Sequence, residues 1–229
     1  MKQIVKKVVG RVLSAGPQAL QTRFKETNEM LYWRLQKFRS GAELYNGHMA
    51  YFFTSLFGLD RDYYNGKRIL DVGCGPIGTL EWADDALERV GLDPLADKYV
   101  KLTAGKHKMR YVKSGCESIP FADGHFDIVT TFNSLDHVEN VDAAIVELTR
   151  VLRPGGDMLI IVEINHEPTI TEPHTLSEDF GEKFKGLDVV SRGICAIRDD
   201  HDVYASLLDP KPPASADDEA ILWLHLRKA

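Results

Sequence analysis

The stretch "ILDVGCGPIGTL", Ile69 to Leu80, sets a short apolar run directly against three glycines, Gly73, Gly75 and Gly78. A buried strand that ends in a glycine-rich turn is the opening of a βαβ unit, because only glycine lets the backbone reverse so tightly. Downstream the pattern alternates. "TLEWADDAL" (79–87) reads as a helix, "RVGLD" (89–93) as a strand, "LADKYVKLTAG" (95–105) as a helix and "MRYVKS" (109–114) as a strand. After the turn-like "CESIPFADGH" come the strand "FDIVTTF", the helix "VDAAIVELTRVL", the stop Pro154-Gly155-Gly156 and the strand "DMLIIVEI". Strands alternating with helices build a parallel sheet covered on both faces. The last two strands, "LDVVSRGICAI" and "AILWLHLRK", have no good helix between them, so they run antiparallel. The expected fold is α/β: a doubly wound, mostly parallel seven-stranded sheet with an antiparallel C-terminal strand. N-terminal helices form a cap over 1–65, ahead of a Rossmann-like domain over 66–229.

The bulk figures suit this reading. The chain has 229 residues, 44% of them hydrophobic and 27% charged, enough for one sizeable core. A formal net charge of −6 argues against nucleic acid as a partner. Cys74, Cys116 and Cys195 are odd in number and widely spaced, which indicates a reducing, cytoplasmic setting with no disulfide framework and no thiolate zinc site. No run approaches the roughly 20 apolar residues of a spanning helix. The start, "MKQIVKKVVGRVL", is a basic amphipathic helix by its spacing. Such a helix either packs on the domain or on a second subunit, as in a homodimer, or lies peripherally on an anionic membrane.

Gly73, Gly75 and Gly78 fit GxGxxG, and Asp93 follows about 20 residues on, at the end of the next strand. A dinucleotide and S-adenosylmethionine both suit such a loop, each with an acidic side chain on its ribose hydroxyls. Asp71 separates them. A carboxylate just ahead of the turn repels a pyrophosphate and attracts an ammonium and a sulfonium. This favours S-adenosylmethionine, with a turn or capping role for Asp71 as the plainer reading.

The segments "ILDVGCGPIG", "VGLDPL", "GCESIPFADGHFDIVTTFNSLDHVEN" and "VELTRVLRPGGDMLIIVE" together resemble the class I S-adenosylmethionine-dependent methyltransferases, over about residues 66–164. The resemblance is to the broad group that acts on small molecules, quinones and sugars. It implies that Asp71, Gly73 and Gly75 hold the methionine part of the cofactor, and that Asp93 accepts from both ribose hydroxyls. It sets Pro94 and Leu95 against the adenine face, Cys116 and Glu117 at the adenine edge, and Asn133 over the methionine part through its backbone. Where the family often has Asp two places before that Glu, this chain has Gly115, so Glu117 or a backbone carbonyl must accept from the adenine amino group.

Open α/β sheets bind ligands beyond the carboxyl ends of their strands, so acceptor chemistry is sought in "NSLDHVEN" and "VEINHEPTITEPH". His137 is the candidate general base, because imidazole titrates near neutrality. Sugar O-methyltransferases that the chain resembles carry a histidine at the matching position and an acidic residue just after strand five. Glu163 is the nearest match and could orient the imidazole. His166, Glu172 and His174 are candidates for acceptor contact. A packing or capping histidine is the alternative for His137. The spacing of His137, Glu163, His166 and His174 matches no metal pattern, so no metal is expected. Tyr32, Trp33, Tyr45, Tyr51, Phe52 and Phe53 either roof the pocket or pack the added helices onto the sheet.

The expected function is O-methylation of a small polar acceptor such as a sugar or glycan. Two alternatives stay open. An NAD(P)-dependent oxidoreductase shares the glycine loop but lacks a Tyr-xxx-Lys pair, and a non-catalytic binding partner would keep fold and cofactor without turnover.

Overall fold

The computed structural model describes residues 18–40, 44 and 49–229. The basic N-terminal stretch and Tyr45 lie outside the described residues. Seven strands form one sheet: β1 (Arg68–Val72), β2 (Glu88–Leu92), β3 (Arg110–Val112), β4 (Phe126–Phe132), β5 (Leu152–Ile164), β6 (Leu187–Ala196) and β7 (Ala220–Lys228). Their order is β3-β2-β1-β4-β5-β7-β6. Pairings from β3 through β5 are parallel, and β7 runs antiparallel to both neighbours. The expected α/β architecture, antiparallel ending included, is the one observed. Chain order reverses between β1 and β4, and crevices beyond such a switch point are where open α/β sheets hold ligands.

The described helices are α1 (Gln18–Ser40), α2 (Ala50–Phe53), α3 (Ala96–Leu102), α4 (Val141–Val151) and α5 (Val203–Leu208). None of them is long and apolar enough to cross a membrane. The clearest amphipathic pattern is in α4. Asn140 caps it by accepting from the Ala143 amide at 3.0 Å, and Val141, Ala144, Ile145, Leu148 and Val151 form its buried stripe. Strand alternation sorts the core into two layers. Leu70, Val72, Met158, Ile160 and Val162 pack beneath α4 and Phe180, whereas Ile69, Ile128, Leu159 and Ile161 pack beneath Phe52, Phe53, Tyr64 and Val203. Two of the N-terminal aromatics, Phe52 and Phe53, are thus core residues rather than a roof.

Two expectations about helices fail. Residues 79–87 form successive turns, not a helix. Leu80, Glu81, Trp82 and Ala83 are all buried, whereas a surface helix buries one stripe only. Their polar groups are also engaged outside any helical ladder. The Glu81 carboxylate accepts from the amides of Lys108 and Met109 at 3.0 and 2.7 Å, and the Arg89 guanidinium donates to the carbonyls of Leu80 and Glu81. Between β6 and β7 the chain does form a helix, the six-residue α5, capped by Asp202 accepting from the Ala205 amide at 2.9 Å.

At the amino end of the sheet, Asp157 ties β5 to β7. Its Oδ1 lies 2.8 Å from His225 Nε2 and accepts from Arg227 at 2.8 and 3.0 Å, while the Tyr63 hydroxyl donates to Oδ2. Despite burial, these donors hold the Asp157 carboxyl down to about 2. The folded value lies below the unfolded one of about 3.9, so the contribution is complete above that value and vanishes as pH falls through about 2. Urea unfolding of Asp157→Asn should show a loss of ~2 kcal/mol at neutral pH, shrinking toward zero in acid. A loss independent of pH would remove the ionic account.

Gly73 turns the chain at φ 74°, and a Cβ placed there would lie 2.4 Å from the Ser134 Cβ. Gly73→Ala should cost ~3 kcal/mol from left-handed strain and overlap. The double variant with Ser134→Gly should regain part of that loss in a thermal melt, and equal stability of the single and double variants would refute the overlap.

Candidate active site

The carboxyl ends of β1, β2, β4 and β5 meet at the switch point. Asp71 is 2% exposed. Its Oδ2 accepts from the Thr79 hydroxyl at 2.5 Å and its Oδ1 from the Thr130 hydroxyl at 2.7 Å. Burial, incompletely offset by these bonds, pushes its carboxyl up to about 6. Asp93 is buried at the end of β2, where Oδ1 accepts from the Leu95 amide at 2.8 Å and the Gly75 amide also donates. It too is pushed up to about 6, chiefly by burial. Neither carboxylate has a cationic partner within 4 Å among the described residues. Two buried acids with no counter-ion, beside a left-handed glycine turn, suit a ligand that carries positive charge and hydroxyls.

The turn itself is closed by protein. Gly75, at φ 56°, faces Trp33 of α1, whose ring would stand 3.3 Å from a Cβ there. Trp33 Nε1 donates to Glu29 at 2.6 Å, and the Tyr99 hydroxyl lies 3.5 Å from the same Glu29 oxygen. Lys98 pairs with Glu26 at 2.7 Å, and Lys37 reaches the Leu102 carbonyl. So α1 straps the crevice from α3 across the glycine turn. At its other end Lys25 donates to the His137 carbonyl at 3.3 Å, with its ammonium held below the usual lysine range by burial. Trp33 is the aromatic that does roof the site.

Of the residues expected at the adenine end, Leu95 and Cys116 are buried and Pro94 is exposed. Glu117 is a fastener of the turn after β4. Its Oε1 accepts from the amides of Glu139 and Asn140 at 3.0 and 3.4 Å, which leaves Oε2, 3.7 Å from Cys116 Sγ. Asn133 sits at φ 50° with its amide donating to the Ile161 carbonyl at 2.7 Å. Its Oδ1 is buried with no partner, an acceptor waiting at the junction of cofactor and acceptor regions.

Beyond β4 and β5 lies a cluster that the sequence reading caught only in part. His137 Nε2 is 3.8 Å from Asp136 Oδ1 and 4.0 Å from Glu172 Oε1, and His166 Nε2 is 3.7 Å from Asp136 Oδ2. The carboxylates that face His137 are therefore Asp136 and Glu172, and no ion pair joins it to Glu163. Glu163 lies on the Ile161 side of β5, half-buried, with its carboxyl raised by burial and by Asp136 and Glu172. His174 turns elsewhere, its Nε2 2.9 Å from the Val138 carbonyl. Asp136 was missed because an acid beside a histidine in a loop has no periodic signature. The adjacent pair in "LDHV", just past a strand end, is the signal that could have found it.

Residues 70–160 match the family described as a methyltransferase domain. A ubiquinone/menaquinone biosynthesis C-methyltransferase UbiE from Pseudomonas putida is 38% identical over 112 residues, 42% of this chain and 42% of its own length. The UbiE protein of Shewanella pealeana is 39% identical over 89 residues, 38% of this chain and 34% of its own. The matches thus span well under half of these relatives. Among solved structures, the [4+2]-cyclase SpnF superposes with a TM-score of 0.57 at 22% identity, covering 80% of this chain and 79% of that one. An S-adenosylmethionine-dependent methyltransferase from Mesorhizobium loti gives 0.54 at 16%, covering 72% and 92%. Both share the fold. Residues 70–160 belong to the class I S-adenosylmethionine-dependent methyltransferase family, whose cofactor is S-adenosylmethionine.

Proposed function

We propose that this protein methylates a hydroxyl oxygen on a small polar acceptor such as a sugar. The observation that carries this is the cluster of acids and imidazoles, Asp136 and His166 both buried, together with Glu163, Glu172 and the more exposed His137, at the open end of the cofactor crevice. The UbiE relatives are named for methylation at carbon on a quinone precursor, but the family match ends at residue 160, before Glu163, His166 and Glu172. The acceptor side is therefore read from this chain's own residues. A fold shared with a protein named as a cyclase underlines that the site, not the fold, fixes the reaction.

S-adenosylmethionine supplies an electrophilic methyl group on a sulfonium. Asp71 and the Gly73–Gly75 turn would hold its methionine part, Asp93 its ribose hydroxyls, and Leu95 and Cys116 its adenine. Oε2 of Glu117 is the carboxylate oxygen left for the adenine amino group. Trp33 and α1 exclude water from above, and Asn133 Oδ1 offers an acceptor to the ammonium or to the incoming hydroxyl. Glu163, half-buried near Asp136 and Glu172 with its carboxyl raised above the usual range by burial, takes the hydroxyl proton. His137, whose Nε2 already faces two carboxylates, positions the acceptor. Three free, buried cysteines fit a cytoplasmic setting.

Methyl transfer from labelled cofactor, assayed against pools of sugars, simple alcohols and quinols, tests the reading. Labelling of hydroxyl oxygen supports it, and labelling of quinol carbon alone overturns it. Glu163→Gln should lower kcat ~100-fold or more with cofactor affinity unchanged; full activity would discard the assignment.

Asp71 and Asp93 give a second test. Each titrates near 6 in the free protein, so below that pH both are neutral and attract a cation less. Calorimetric affinity for S-adenosylmethionine should rise between pH 5 and 7, by up to roughly tenfold per carboxylate. In Asp71→Asn the binding should be weaker and the pH slope shallower. A flat profile in the unaltered protein would exclude a carboxylate role in cofactor capture.

A further inference from the structure

Asp136, His137 and Glu172 offer ligand atoms that all lie within 4.8 Å of one another. The separations inside the cluster, 3.7, 3.8 and 4.0 Å, are too long for hydrogen bonds. They match atoms that face each other across one ion, since two ligands each ~2.1 Å from a metal stand ~3–4 Å apart. Two further features point inward. The Asp136 side chain is 2% exposed, yet its Oδ1 has no hydrogen-bond partner. The His166 side chain is 9% exposed, and its Nε2, turned to Asp136, also has none. His166 Nδ1 lies 3.2 Å from the Glu167 carbonyl. A ring that donates from Nδ1 to a backbone carbonyl keeps a bare lone pair on Nε2, the arrangement of a metal-bound histidine with its outer partner in place.

We propose that this cluster binds one divalent transition-metal ion through Asp136, His137 and Glu172, with His166, which faces the second Asp136 oxygen, closing on it as a further ligand. Mixed imidazole and carboxylate donors select ions such as Mn²⁺, Co²⁺ or Zn²⁺ over Mg²⁺ and Ca²⁺, which take oxygen alone. The ligands come from the two loops that follow β4 and β5, so an ion here joins both walls of the acceptor pocket. In a role that rests on the methyl-transfer reading, it would ligate the acceptor hydroxyl and lower its proton affinity, leaving Glu163 free to take the proton. The same ion explains why Asp136 Oδ1 and His166 Nε2 are buried side by side without hydrogen-bond partners.

The full chain, stripped with EDTA and titrated with Co²⁺, reports the site through visible d–d absorption without any turnover. One saturating equivalent is expected, displaced by Zn²⁺ and indifferent to Mg²⁺. Glu172→Gln, at a half-buried loop position that the fold tolerates, and His166→Ala should each weaken Co²⁺ binding ~10-fold or more. Glu178→Gln, an exposed acid at the start of the 3-10 helix Glu178–Lys183, should leave it unchanged. Absence of a saturable signal, or equal affinity in all variants, overturns the site. Calorimetry with S-adenosylmethionine on the same samples separates the two readings. Loss of the Co²⁺ signal with cofactor binding intact removes the ion alone, and loss of cofactor binding with the Co²⁺ signal intact leaves the ion standing.

Discussion

The structure turns on the Asp71 carboxylate, held between two threonine hydroxyls at the mouth of the central strand. Thr130 fixes it to β4, and Thr79 fixes it to the far limb of the glycine turn. One buried acid thus joins three pieces of chain that are distant in sequence. The bonds are from neutral donors, so they orient the carboxylate without neutralising it. Burial then leaves a group with unspent attraction for a cation, and the crevice above inherits that attraction. Replacing the acid with an apolar residue would relieve the desolvation cost and release the turn from β4 at the same time.

A second constraint is the way in which glycines are used. The glycine turn is tight because protein atoms crowd it: Ser134 against Gly73 and Trp33 against Gly75. The loop is preorganised by its own neighbours, and a ligand meets a shape that already exists. Preorganisation of this kind lowers the ordering cost of binding. The acceptor side is built differently, from loops in which two neighbouring buried atoms, Asp136 Oδ1 and His166 Nε2, are left without partners.

Much of this was legible in the sequence. The strands β1, β4 and β5 each hold a short apolar or β-branched run bounded by turn residues, and α4 carries both a cap and a stripe, so local signals and tertiary fate agree. The antiparallel ending followed from the lack of a long helix between "LDVVSRGICAI" and "AILWLHLRK". The stretch 79–87 failed because Leu80, Ala83 and Leu87 have helical spacing, while Arg89 and the amides of Lys108 and Met109 bind its polar groups from outside. Such partners are invisible to a local reading. For the same reason His137 and Glu163 could be nominated from strand ends, but the carboxylates that face His137, Asp136 and Glu172, emerged only when two loops were folded together. Glu117, nominated for the adenine, gives one oxygen to backbone amides that no spacing rule announces.

The sheet order has a consequence for assembly. Strand β6 precedes β7 in the chain, yet β7 lies between it and β5, and β6 has no other neighbour in the sheet. Hence β6 cannot dock until β7 has paired, whereas β1 to β5 can zip together from local crossovers alone. The cofactor half of the molecule is competent to form early. The segment running from β5 to β6, with His166 and Glu172 on it, is anchored at its far end only once the final strand slots home. The loop that carries His166 and Glu172 therefore depends on the final strand for its anchorage in a way that the glycine turn after β1 does not.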